Sequence, residues 1–95
     1  MLNRVDLESI HRYSDHHREL MEQSRQAGCF YCGALFAPSE IKDWIDGPQV
    51  VTGETTDGVT ALCPRCGIDA VLPSAAPIQL GPDLLAQMRG YWFDQ

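Results

Sequence analysis

The four cysteines constrain this chain more than any other feature, because they fall as two identical pairs, Cys29-x-x-Cys32 and Cys63-x-x-Cys66. Two thiolates separated by two residues can grip one ion when the loop between them is tight, and two such pairs complete a tetrahedron of sulfurs at about 2.3 Å from a metal. In Cys29-Phe30-Tyr31-Cys32-Gly33 the glycine lets the backbone wrap back toward that metal, the signature of a zinc knuckle. The expected cofactor is one zinc ion held by Cys29, Cys32, Cys63 and Cys66. A closed four-thiolate shell leaves no position for water or substrate, so the metal would be structural. Iron in the same shell, a redox dithiol and buried free cysteines are the competing readings. A redox dithiol needs only one pair, set after a strand in a βαβ unit, and no such setting appears here.

A metal matters to a chain of this size. With 95 residues it makes one domain, 1–95, that buries about two-thirds of the surface its unfolded form exposes, a thin margin over conformational entropy. Zinc binding by finger peptides, on the order of 10–16 kcal/mol, exceeds the net stability of a typical domain.

Charge narrows the choice of partner. Thirteen acidic side chains oppose seven basic ones, a formal −6, with Lys42 the single lysine. Four thiolates and one divalent cation would take this to roughly −8, repelling phosphate backbones at long range. No apolar run of membrane-spanning length and no signal-peptide pattern is present, so no membrane partner is expected and the compartment expected is the reducing cytoplasm, where paired cysteines read as metal ligands.

The sequence predicts three helices and a hairpin. Residues 6–26 lack proline and glycine, and Ile10, Tyr13, His17, Leu20, Met21 and Ser24 share one side at helical spacing, which predicts one long N-terminal helix. Its other side mixes signs, with Glu8 and Arg12, and Arg18 and Glu22, four apart. After the first knuckle, Pro38-Ser39-Glu40 predicts a second helix capped by Ser39, running through Ile41, Trp44 and Ile45 and stopped by Gly47-Pro48. Gln49 to Thr52 and Gly58 to Leu62 read as a hairpin around Gly-Glu-Thr-Thr-Asp-Gly, leading into the second cysteine pair. An irregular connection over 73–82 then gives way to a helix over 82–93, with Pro82 in its first turn and Leu84, Leu85, Met88, Tyr91 and Trp92 on one face.

With knuckle, hairpin and second CPxCG in view, residues 28–72 resemble a treble-clef zinc finger, in which a knuckle supplies two ligands and the end of a hairpin two more. The resemblance implies a small α+β treble-clef zinc-binding domain, here with a long N-terminal helix, a short β-hairpin and a C-terminal helix. More closely, CFYC followed by APSEIKDWID and TALCPRCGID resembles a group of small, uncharacterised bacterial cytoplasmic proteins with CFYC and CPxCGID motifs and no established activity. The layout is also similar to HNH nucleases. Where that family places catalytic histidines this chain has Asp43-Trp44-Ile45, and after Cys66 it has Gly67-Ile68-Asp69, so the resemblance implies at most a degenerate nuclease scaffold.

Two further residue groups bear on function. His11, His16 and His17 would serve a metal-dependent hydrolase only by converging, whereas the apolar stripe makes His17 a packed core histidine and sets His11 on the solvated face. Trp44 and Trp92 are expected in the core, while Phe30 and Tyr31 in the first knuckle loop, and Arg65 in the second, are the expected contact residues for a partner. The reading as a whole is a non-catalytic zinc-binding module that engages another protein. The alternatives are a nucleic-acid-binding zinc finger, needing Arg4, Arg18, Arg25 and Arg65 to converge, and the histidine hydrolase. The amphipathic helices at both ends would also suit a homodimer.

Overall fold

The structure, a computed structural model, describes residues 3–45, 49–51, 54–56 and 58–93. Gly47-Pro48, Thr52, and Gly53 and Asp57 of the expected hairpin loop, lie outside the described residues. Helix α1 (Arg4–His11) starts at Asn3, whose Oδ1 accepts the Asp6 N–H at 2.9 Å. It buries Leu7 and half-buries Ile10.

The long N-terminal helix expected over 6–26 is instead broken in two. A single 3₁₀ turn (Arg12–Ser14) follows α1, and the second segment is the short α2 (Arg18–Glu22). Between them His16 takes φ = 47°, a region that costs a residue with a Cβ about 1–2 kcal/mol. Two cross-chain hydrogen bonds hold this break: His16 N–H donates to Thr60 Oγ1 at 2.8 Å, and His17 N–H to Val59 C=O at 3.0 Å. A continuous helix would have kept both amides for itself.

Strand β1 (Ala27–Cys29) lies at the centre of a three-stranded antiparallel sheet, between β2 (Leu35–Phe36) and β7 (Val71–Pro73). All three residues of β1, and all three of β7, are buried. The second helix expected from Ser39 to Ile45 is a single 3₁₀ turn (Pro38–Glu40), after which the chain extends. Ala37, not Ser39, precedes the turn, and its N–H is bonded by the Glu40 carboxylate at 2.9 Å.

Trp44 and Ile45 form β3 (Trp44–Ile45), paired with β6 (Thr60–Ala61). Beyond it β4 (Gln49–Val51) pairs with β5 (Glu54–Thr56). The two ladders are antiparallel and in phase with each other. The expected hairpin therefore exists with different partners: Glu54 to Thr56, read as loop, is strand, and Thr60-Ala61 pairs with Trp44-Ile45. Near the base Gly58 is buried, and a Cβ there would lie 2.2 Å from the Ile45 carbonyl oxygen, so no larger residue fits.

The last helix, α3 (Pro82–Trp92), agrees with the expected 82–93 to one residue and buries Leu84, Leu85 and Met88. It packs against α1, where the His11 and Trp92 rings lie 4.1 Å apart and Tyr91 Oη donates to Glu8. The helical faces at the two ends of the chain thus cover each other within one molecule. Met21, Phe30, Phe36, Val71, Leu72, Leu84, Leu85 and Met88 make one core, with Cys29 and Cys63 at its edge among the buried residues.

Candidate metal centre

The cysteine pairs occupy two knuckles of nearly the same geometry. The first caps the β1–β2 hairpin: Cys29 N–H donates to Ala34 C=O at 2.9 Å and Gly33 N–H to Cys29 C=O at 2.8 Å. The second joins β6 to β7: Cys63 N–H donates to Ile68 C=O at 3.0 Å and Gly67 N–H to Cys63 C=O at 2.9 Å. Each turn closes through a glycine in the left-handed region, Gly33 at φ = 81° and Gly67 at φ = 80°. In each, the leading sulfur accepts an N–H two residues on, from Tyr31 at 3.4 Å and from Arg65 at 3.3 Å. Such bonds favour the thiolate over the thiol.

Open space surrounds both glycines, so an added Cβ meets backbone strain alone. Gly33→Ala and Gly67→Ala are each expected to destabilise the protein by about 1–2 kcal/mol, with asparagine tolerated better. Urea midpoints of the four variants check this.

The two knuckles bring the four sulfurs together, all Sγ atoms lying within 4.8 Å of one another. Cys29 to Cys66 and Cys32 to Cys63 are each 3.7 Å. That is far beyond a disulfide at about 2.05 Å and matches the roughly 3.8 Å edge of a tetrahedron with metal–sulfur bonds of about 2.3 Å. All four cysteines are free. The donor set therefore fits a metal ion.

Burial grades across the site, Cys29 and Cys63 lying inside and Cys32 facing solvent. Desolvation pushes the Cys29 and Cys66 thiols above their ordinary range. Cys63 is also desolvated, yet the N–H groups of Cys66 and Arg65, with the Cys32 sulfur, outweigh this and lower it. Four sulfurs this close cannot all ionise without a compensating cation, and a divalent ion supplies one.

The other candidates separate. Tyr31 is exposed at 36 %, edge-on to Phe93 at 4.9 Å, and the Arg89 guanidinium lies 5.1 Å from its ring centroid. Phe30, expected to face a partner, is 1 % exposed. Its N–H donates to Ala70 C=O at 2.9 Å, tying the knuckle to the approach of β7, and its ring belongs to the core. Arg65 is exposed and pairs with Glu40 of its own chain at 2.9 Å. Glu40 also accepts the Ala37 N–H, so its carboxylate links the end of the first knuckle's hairpin to the second knuckle. An exposed pair of this kind contributes about 0–1 kcal/mol. Arg65→Ala is expected to leave metal content unchanged and stability within that range, read from metal analysis and urea unfolding.

Trp44 and Trp92, expected in the core, are half-buried and packed against it. Among the described residues the four cysteines alone bring three or more potential ligands together. The histidines do not converge: His11 packs at a tilt against Trp92, His16 is exposed beside Asp15, and His17 is 2 % exposed with both ring nitrogens hydrogen-bonded. Arg18, one of the arginines a nucleic-acid surface would need, lies over Trp44 at 4.5 Å and donates to Gly58 C=O at 2.7 Å. No described helix is long and apolar enough to cross a membrane.

Compared with protein-family models, with curated proteins and with solved structures, the chain matches none. The likeness to the CFYC and CPxCGID proteins rests on those motifs.

Proposed function

We propose that the chain is a non-catalytic zinc-binding module whose metal holds a protein-interaction surface in shape. The observation that carries this reading is the closed set of four sulfurs, all within 4.8 Å. Zinc suits a tetrahedral, all-thiolate shell, and such a shell leaves no site for substrate. A knuckle and the end of a hairpin supplying two ligands each is the layout of a treble clef. The second cysteine pair runs on into strand β7, so the two halves of the site are twin knuckles.

A protein partner fits the surface better than nucleic acid. The chain carries −6 formally, and Arg18 and Arg65 are committed to Trp44 and Glu40. Beside the first knuckle, Tyr31 and Phe93 present exposed aromatic rings with Arg89 against them, the residue types enriched at protein interfaces.

Two measurements test the reading. Metal analysis of the purified protein is expected to give about one zinc per chain; iron in its place, or a second metal, would replace the assignment. A photo-crosslinking amino acid at position 31, introduced in cells, is expected to yield protein adducts that vanish with Cys63→Ser. Adducts to nucleic acid, or none, would sink the interaction role.

A further inference from the structure

Away from the metal, α1, α3 and the connection before α3 enclose an open groove of about 790 Å³. Its floor is apolar, with Leu84 buried and Ile10, Tyr13 and Ile78 half-buried. Asp6 and Asp83 line it from opposite helices, both exposed, and among the described residues neither carboxylate pairs with a cation. The single cation in the lining, Arg12, is drawn to the Tyr13 ring at 5.7 Å. An apolar floor between two free carboxylates, on a chain already at −6, is complementary to one kind of occupant.

We infer that this groove docks a segment of a partner protein that presents apolar side chains flanked by lysine or arginine. The apolar residues would cover Ile10, Ile78 and Leu84, and the flanking cations would reach Asp6 and Asp83. Being open to solvent, the groove suits a polypeptide segment better than an enclosed small molecule. The inference rests on the interaction-module reading and gives it a partner chemistry.

The test uses the full zinc-loaded chain and three labelled peptides: an amphipathic leucine–lysine peptide, its leucine–glutamate counterpart, and a serine–lysine control. The leucine–lysine peptide is expected to bind about tenfold tighter than either of the others, the scale of two charge contacts or of a few buried methylenes. Its binding should weaken as salt rises toward 1 M, where the screening length is about 3 Å. Amide shifts should centre on Ile10, Ile78 and Leu84.

Asp6→Asn with Asp83→Asn should weaken binding about tenfold with zinc content unchanged. Asp6→Lys with Asp83→Lys should transfer the preference to the leucine–glutamate peptide, which loss of stability alone would not do. Equal binding of the lysine and glutamate peptides, no binding, shifts centred on Tyr31 and Phe93, or a second copy of the chain filling the groove would each overturn the inference. The module reading fails separately, when position 31 gives no protein adduct.

Discussion

Cys63→Ser is expected to abolish the fold along with the metal. Serine replaces a buried cysteine whose sulfur sits 3.7 Å from that of Cys32. An alcohol neither ionises near neutral pH nor suits zinc, so the shell drops to three thiolates. Metal binding by finger peptides amounts to about 10–16 kcal/mol, against a whole-domain stability of about 5–15 kcal/mol.

The architecture makes the loss global. Cys29 ends the central strand β1, and Cys63 to Cys66 span the link from β6 to β7. A metal held by the four sulfurs would cross-link segments more than thirty residues apart. Far-ultraviolet dichroism and amide dispersion should collapse in the variant, and chelation of the parent protein should do the same reversibly. A dispersed, metal-free spectrum for either would show that the core alone sustains the fold, leaving the cysteines as packing or redox residues.

Which features could be read from the chain follows from where their hydrogen bonds go. The four-cysteine cluster was legible because both knuckles are local: the glycine and the Cys-x-x-Cys spacing set each turn within six residues. The C-terminal helix was legible because its periodicity and Pro82 agree with its packing. The break at His16 was not, since no glycine or proline marks it, and its cause lies in Val59 and Thr60 over forty positions away. The helix expected from Ser39 to Ile45 failed for the same reason. Trp44 and Ile45 lie in antiparallel register with Ala61 and Thr60, and strand pairing overrides a local propensity of a few tenths of a kcal/mol per residue. Phe30 was misplaced because a residue inside a knuckle looks exposed until β7 is laid beside it.

His17 is expected to make the protein's stability fall on mild acidification. Its Nδ1–H donates to the Tyr13 carbonyl at 2.6 Å, and its Nε2 accepts the Ala61 N–H at 3.0 Å. Those partners fix the neutral ring, because a proton on Nε2 would face another N–H. Burial, which lowers its pKa, outweighs the opposing pull of the Tyr13 bond and Asp15. The folded value therefore lies below the unfolded value of 6.5. In that window the unfolded chain binds more protons, so stability rises with pH there. The contribution is complete above about 6.5 and is lost as pH falls toward the folded value, at about 1.4 kcal/mol for each unit of separation. Urea unfolding of zinc-saturated protein, from about pH 8 to about pH 5.5, should show this slope, and His17→Gln, which cannot titrate, should remove it. His17→Ala should cost about 3 kcal/mol or more at neutral pH, by emptying the ring's volume and stranding the Ala61 N–H. That N–H belongs to β6, two residues before Cys63, so the histidine braces the strand that delivers the second knuckle. A slope that survives in His17→Gln would move the acid sensitivity to the metal centre itself.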